Sequence, residues 1–266
     1  MELLTKLFEI LTKILSKKDP SQGEEEGLQT NVTKFTITTK KKEEKHIVCN
    51  HQLVPIEWDK VITFEDKNGF VSSPGNYKKH PPRRRKPNLF VVHWDGCLSS
   101  RDCYTVLEKR GLSAHFCIDN DGTIYQLLDT QDVAWHARGV NSRSIGVEIS
   151  NAVDMVYESD YDPPRPILEN ITIHEKRLKP FQGFYPIQIE ALKALTKALH
   201  KAYDIELKCP IDNGKLVNTI YPDVINNSFK GVVGHYHVSL QKTDPAGLDL
   251  EKLLIEVQEE VDNEKV

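Results

Sequence analysis

Apolar and polar positions along the chain change period several times, and each change marks an element. In residues 1–18, Leu3, Leu4, Leu7, Phe8, Ile10, Leu11, Ile14 and Leu15 fall on one helical stripe, with Glu2, Lys6, Glu9, Lys13 and Lys17 opposite. That is the pattern of an amphipathic helix. Residues 19–45 are polar. A linker at 19–30 opens Asp-Pro-Ser-Gln-Gly-Glu-Glu-Glu-Gly, residues 31–39 alternate as a strand around Val32, Phe35 and Ile37, and 40–45 form a charge run. Two short strands are predicted between His46 and Phe64. Residues 46–87 read as an N-terminal extension of a domain at 88–261.

The strongest apolar signal is residues 88–95, Asn-Leu-Phe-Val-Val-His-Trp-Asp. A short continuous apolar run predicts a strand buried on both faces, and it ends in His93 before Asp95-Gly96 turn chemistry. Residues 99–110 predict a helix with Ser99 or Ser100 as its cap and Gly111 as its stop. Ala114-His-Phe-Cys-Ile-Asp119, Asn120-Asp-Gly122 and Thr123-Ile-Tyr-Gln-Leu127 predict strand, tight turn and strand. Ser144-Ile-Gly-Val-Glu-Ile-Ser150 is a further strand, with Glu148 inside the apolar alternation. A carboxylate there is costly to bury unless it is paired or employed.

Residues 154–185, rich in Pro, Tyr and charge, form an insertion-like stretch, and 209–230 form a second polar loop. Between them Ile189, Leu192, Leu195 and Leu199 define a helix over 187–203. A strand beginning at Val232 follows. Leu250, Leu253, Leu254 and Val257 define a closing helix over 248–261. Strands alternating with helices through 88–261 predict an α/β domain, a central mixed β-sheet flanked by helices. The N-terminal amphipathic helix and the small extension precede it.

Charge and cysteine usage narrow the functions. Thirty-five basic and 39 acidic side chains give a formal net charge of −4, so no overall field recruits nucleic acid or membrane. The basic run Lys78-Lys-His-Pro-Pro-Arg-Arg-Arg-Lys86 has no interleaved aromatics for base stacking, and reads as a solvated entry to the strand at Asn88. No run approaches the roughly 18 apolar residues of a membrane span. Lys6, Glu9 and Lys13 interrupt any signal-peptide core. Five cysteines cannot all be paired; Cys97 and Cys103 are near enough in sequence to pair.

The chemistry lies in a design used twice. The run Val91-Val92 ends in His93, and Val232-Val-Gly234 ends in His235, followed by a turn-rich loop with Lys242 and Asp244. Two histidines on separate buried strand ends and an aspartate on a nearby loop make a three-ligand set that zinc accepts, leaving a fourth position for water. His237 is the rival ligand, since it shares a face with His235 in a regular strand. Trp94 and Trp135 read as core residues.

Five stretches resemble, in order and spacing, the motifs of the zinc N-acetylmuramoyl-L-alanine amidases, a family that includes recycling amidases, phage endolysins and peptidoglycan recognition proteins. They are Val91-Val-His-Trp-Asp95, Ala114-His-Phe-Cys-Ile-Asp-Asn-Asp-Gly-Thr-Ile-Tyr-Gln126, Ala134-Trp-His-Ala137, Ser144-Ile-Gly-Val-Glu-Ile149, and Gly234-His235 with Lys242-Thr-Asp-Pro245. The resemblance covers roughly residues 88–258. It implies that His93, His235 and Asp244 hold Zn2+, that Glu148 is the general base, and that Lys242 stabilises the transition state. Ala114 stands where some branches carry tyrosine, which points to the glutamate-using branch. Cys97 and Cys103 echo a small disulfide of recognition proteins. His115 is placed in a supporting or packing role, His136 near the substrate cleft or in a structural hydrogen bond, and Arg138 and Asn141 in reach of the peptide stem.

The activity so implied is hydrolysis of the amide bond between N-acetylmuramic acid and L-alanine, with bacterial peptidoglycan as partner. The alternatives are a non-catalytic peptidoglycan-binding module and a virion-associated protein carrying this domain. The stripe at 1–18 suits packing or self-association, or attachment to a particle, better than a membrane-surface anchor. Without a signal, the expected location is a host cytoplasm and then the cell wall, as for a phage lysin, or a virion; the alternative is the bacterial cytoplasm.

Overall fold

The computed structural model describes residues 43–80 and 85–264. The amphipathic stripe at 1–18, the linker and the strand expected at 31–39 lie outside them. Residues from Glu43 onward form one compact unit.

Its centre is a six-stranded mixed sheet. The strands are β3 (Val61–Ile62), β5 (Leu89–Trp94), β6 (Phe116–Ile118), β7 (Ile124–Gln126), β9 (Ser144–Ile149) and β16 (Gly231–Gly234), in the order β16-β5-β9-β6-β7-β3. β16, β5, β9 and β6 run parallel, β7 turns back antiparallel to β6, and β3 lies parallel to β7. β3 thus carries the extension before residue 88 into the sheet. Ahead of it, β1 (Lys45–Cys49) and β2 (Gln52–Ile56) form a hairpin. Tyr77–Lys78 (β4) pairs with Val133–Ala134 (β8).

The alternation within each central strand assigns its two faces. Phe90, Val92, Ile145, Val147, Ile149, Phe116, Ile118 and Val232 share a core with Leu192, Leu195 and Leu199 of α2 (Pro186–Tyr203) and with Leu250, Leu253, Leu254 and Val257 of α4 (Leu250–Asn263). Leu89, Val91 and Val233 point the other way, towards Ala137, Val140, Val224 and Phe229. On that second side α1 (Ser100–Arg110) packs Cys103 and Leu107 against Cys117 and Leu127. Burial on both faces explains why the strands read as unbroken apolar runs.

Helix ends follow their chemistry. Ser99 Oγ accepts the Asp102 N–H at 3.2 Å and starts α1. Gly111, at φ 64°, ends it in the left-handed region that glycine enters without a Cβ penalty. Pro186 opens α2, as its missing N–H allows. Asp249 Oδ1 accepts from Lys252 N at 3.0 Å and caps α4.

The insertions are short ladders joined by turns. Ile167–Leu168 (β10) pairs with Phe181–Gln182 (β13), and Thr172–Ile173 (β11) with Lys176–Arg177 (β12). In the second insertion Ile211–Asp212 (β14) pairs with Lys215–Leu216 (β15), followed by the short α3 (Pro222–Ile225). Among the described residues, no helix is long and apolar enough to cross a membrane.

One expectation is corrected. Arg85, at the end of the basic run, is 3% exposed rather than solvated. Its guanidinium donates to the carbonyls of Thr130 (2.9 Å), Asp132 (3.0 Å), Asn141 (2.8 Å), Ser142 (3.4 Å) and Ser144. A fork of five N–H donors suits a set of converging loop carbonyls, so a single cation ties three segments together. Burial lowers its pKa to about 10, still far above neutrality. Arg85→Ala leaves these carbonyls without donors and is expected to cost at least about 2 kcal/mol, whereas Lys86→Ala should stay within about 0.5 kcal/mol. Urea unfolding of the two variants measures the difference; equal midpoints would rule out this role for Arg85.

Candidate functional site

Register builds the site. β16 and β5 pair Gly234 with Val92, and β5 and β9 pair His93 with Glu148. Parallel, in-register neighbours present their side chains to the same face. His235 (one residue beyond Gly234), His93 and Glu148 therefore emerge side by side at the carboxyl ends of three parallel strands, the end of an open α/β sheet where ligands bind. The fourth member, Asp244, comes from the loop that follows.

The side chains converge tightly. His93 Nδ1 lies 3.0 Å from His235 Nδ1 and 3.0 Å from Asp244 Oδ2, and His235 Nδ1 lies 3.0 Å from the same carboxylate oxygen. All three residues are buried, at 2%, 7% and 6% exposed. They are the group of His, Cys, Asp and Glu side chains among the described residues whose donor atoms could hold one metal ion. The far side of His93 faces a second imidazole. Nε2 meets His136 Nδ1 at 3.0 Å, and His136 Nε2 meets Ser144 Oγ at 3.1 Å. With Nε2–H donating to His136, His93 Nδ1 keeps a lone pair directed at its two partners. Two imidazole nitrogens and a carboxylate oxygen around one point, with at most one proton among them, are a donor set that suits Zn2+.

Electrostatics agree with that reading of the protons. Burial, and then the neighbouring His235, lowers His93 to about 4. Burial alone would raise the Asp244 carboxyl, but its close contacts with His235 and His93 override it and hold the group well below the usual carboxylate range. Glu148 moves the opposite way. Burial, then the negative charges of Asp244 and Asp95, pushes it well above its ordinary value, with Lys242 partly offsetting them. Among the described residues Glu148 makes no hydrogen bond or ion pair. Arg143, a conceivable partner, is instead held by Asn88 Oδ1 and the carbonyls of Phe229 and Val224.

These groups line a cleft of about 240 Å³, which also takes in Lys242, His136, Asp95, Arg110 and Trp135. The sequence did not single out Asp95 and Arg110 as cleft residues. Asp95 accepts hydrogen bonds from Cys97 N (2.8 Å), Asn151 N (3.0 Å) and Ser150 Oγ (3.0 Å), and burial pushes its carboxyl up to about 7. Its signal was its place two residues after His93. Trp135, expected in the core, is 36% exposed at the cleft instead, because β8 ends at Ala134. Trp94 is half-buried against Phe181.

The remaining candidates separate. His237 leaves the ligand set because β16 stops at Gly234 and a 3-10 turn spans His235–His237. Its Nδ1 accepts from Gly234 N at 3.0 Å and its Nε2–H donates to Val217 O at 2.7 Å. His115 packs behind the site: Nδ1 accepts from Gly146 N at 3.1 Å and Nε2–H donates to Asp132 O at 3.1 Å. That tautomer leaves no acceptor for the Arg85 guanidinium 3.3 Å away. His136 sits over Gly146, where an added Cβ would lie 2.4 Å from its ring, so only glycine admits the imidazole. Asn141 Oδ1 accepts from Ala137 N at 2.7 Å and shapes the loop; Arg138 is exposed and outside the cleft lining. Cys97 and Cys103 are both free, and Cys103 Sγ lies 4.0 Å from Cys117 Sγ.

With this geometry in place, the sequence profile of the N-acetylmuramoyl-L-alanine amidases matches residues 83–247. The chain belongs to this amidase family. Among solved structures, the domain is similar to the endolysin amidase LysCS from Clostridium intestinale URNW, with 19% identity and a TM-score of 0.46 over 75% of this chain and 95% of that one. It is similar to the amidase AmiD from E. coli, solved with anhydro-N-acetylmuramic acid-L-Ala-D-gamma-Glu-L-Lys, at 21% identity and a TM-score of 0.44 over 67% and 58% of the chains. The Ph2119 endolysin of a Thermus scotoductus bacteriophage gives 16% identity and a TM-score of 0.42 over 74% and 98%. No curated protein sequence matches the chain.

The amidase fold holds His115 neutral, which has a measurable consequence. Burial, then the Arg85 charge, lowers its pKa from 6.5 to about 3. The folded state thus binds fewer protons than the unfolded chain between those values, so this contribution to stability is complete above pH 6.5 and is lost as pH falls towards 3. Near pH 5 one such group contributes about 1.4 kcal/mol per pH unit. His115→Gln is expected to reduce the pH slope of the unfolding free energy by about that amount; an unchanged slope would show that the imidazole titrates alike in both states.

Proposed function

We propose that the chain is a zinc-dependent hydrolase that cuts the amide bond between the lactyl group of N-acetylmuramic acid and L-alanine in peptidoglycan. The observation that carries this reading is the 3.0 Å triangle of His93, His235 and Asp244 donor atoms beside a buried, unpaired Glu148. Zn2+ held by those three residues would supply Lewis-acid polarisation of the scissile carbonyl and make water acidic enough to lose a proton near neutral pH.

The chain's own groups do the rest. Glu148 takes the proton from the attacking water and returns it to the departing amine nitrogen of L-alanine. Its raised proton affinity suits both halves of that task, since a carboxylate at its ordinary value would hold the proton too weakly to deliver it. Lys242 lines the same cleft, exposed, and its ammonium can approach the oxygen on which negative charge develops. A single well-placed donor in that role is worth about 3 kcal/mol. The His136–Ser144 pair orients His93 from behind. A module that only bound peptidoglycan would have no use for an unpaired buried carboxylate at this position, which favours turnover over the binding-only reading. Within this chemistry we favour a lytic, endolysin-type role over recycling, on the two long insertions that adjoin the catalytic loop.

Purified protein is expected to contain one zinc per chain and to release peptides from cell walls without new reducing ends. Chelation should abolish the release, and His93→Ala should lose the metal. Hydrolysis that survives complete removal of metal would exclude the zinc assignment. Glu148→Gln keeps the shape and removes the base; kcat is expected to fall by at least about 100-fold with zinc content unchanged. Retention of near-normal kcat would take Glu148 out of the mechanism.

A further inference from the structure

Asp244 and Lys242 are carried by a loop, whereas His93, His235 and Glu148 stand on or directly after strands. Something other than the sheet must hold that loop. His174 lies at the tip of the β11–β12 hairpin, and its side chain reaches the loop from the first insertion. Nε2 is 2.8 Å from the Lys242 carbonyl oxygen, and Nδ1 is 2.9 Å from Thr219 Oγ1 in the second insertion. The His174 backbone N–H donates to Asn218 O at 3.0 Å. A carbonyl can only accept, so Nε2 carries the proton, and in the neutral ring Nδ1 accepts from the Thr219 hydroxyl.

The strip 217–219 is held on its other side as well. Val217 O accepts from His237 Nε2 at 2.7 Å, and Tyr236 N donates to Asp244 O at 3.1 Å. The contacts close a ring that runs from Lys242 through His174, the strip 217–219 and His237 to the His235 segment, and back through Asp244. Both His174 (φ 52°) and Glu175 (φ 62°) are left-handed. This conformation is uncommon outside glycine, and it turns the His174 backbone and ring towards the strip.

We propose that His174 is a positioning residue, which pins the Lys242 carbonyl to the second insertion and so fixes the direction in which the Lys242 ammonium enters the cleft. The catalytic arm of this proposal rests on the function proposed above; the structural arm does not. The experiment therefore reads both. In the whole chain, His174→Ala and, independently, Thr219→Val are expected to speed tryptic cleavage after Lys242, identified by mass, by about three- to tenfold, the weight of one net hydrogen bond. His174→Gln, whose amide can donate from a similar place, should restore resistance. In hydrolysis of cell-wall peptides, His174→Ala should lower kcat by a similar factor with KM within twofold, and should have no further effect in a Lys242→Met background. Unchanged cleavage in both His174→Ala and Thr219→Val overturns the clamp. A kcat loss of full size in the Lys242→Met background overturns its action through Lys242. Absence of hydrolysis by the wild-type protein would count against the proposed function, and cleavage after Lys242 would still decide the clamp.

Discussion

The parallel, in-register pairing of β16, β5 and β9 is the constraint on which the rest depends. A one-residue slip of β9 against β5 would turn Glu148 to the opposite face, among Phe90, Val92, Phe116 and Ile118, and bring Val147 and Ile149 to the cleft. The register is held because both faces of these strands are buried, by α2 and α4 on one side and by α1 and the loop clusters on the other. Every residue is therefore in its only comfortable place. Hydrophobic burial of Phe90, Val92 and Val147 thus fixes the lateral spacing of His235, His93 and Glu148, three polar groups that would not gather unaided.

Gathering them costs desolvation, and the structure offsets it by giving the imidazole nitrogens polar partners. His93 Nε2 shares a hydrogen bond with His136 Nδ1, and His136 Nε2 shares one with Ser144 Oγ; His115 accepts from Gly146 and donates to Asp132; His237 accepts from Gly234 and donates to Val217. Burial lowers the proton affinity of all four imidazoles, and both ring nitrogens of each have a polar neighbour, which is what tolerates four histidines in a small buried region. Glu148 lines the cleft beside these histidines without a hydrogen bond to another described residue. A carboxylate with raised proton affinity in a cleft is a candidate for function.

How much of this was legible in the sequence follows from the range of each interaction. The β5 strand, the β6–β7 hairpin, the caps of α1 and the two amphipathic helices were legible because they depend on residues within one or two turns of each other. His93, His235, Asp244, Glu148 and Lys242 were legible as candidates because they fall in motifs resembling an amidase family, and the fold brings the five to one cleft. Arg85 was misread because nothing local distinguishes a buried arginine from the basic residues before it; its acceptors are carbonyls 45 to 59 positions away. Trp135 was misread because its exposure depends on where β8 stops. His237 could be set aside only once β16 was seen to end at Gly234, which turns a strand alternation into a 3-10 turn.

The division of labour between strands and loop carries a further step. Groups on strand ends inherit the precision of the sheet, while a group on a loop is only as well placed as the contacts that hold the loop. Asp244 is buried and bonded to two histidines, so its position is over-determined. Lys242, two residues earlier, is exposed, and its carbonyl rather than its ammonium is what the protein holds. In the proposed mechanism, an ammonium aimed through its backbone and not paired with Glu148 suits an interaction needed only while charge develops on a substrate oxygen, since a cation bound tightly to Glu148 beforehand would lower that carboxylate's proton affinity and weaken it as a base. The insertions then stand as an external frame for a part of the cleft that the sheet does not reach.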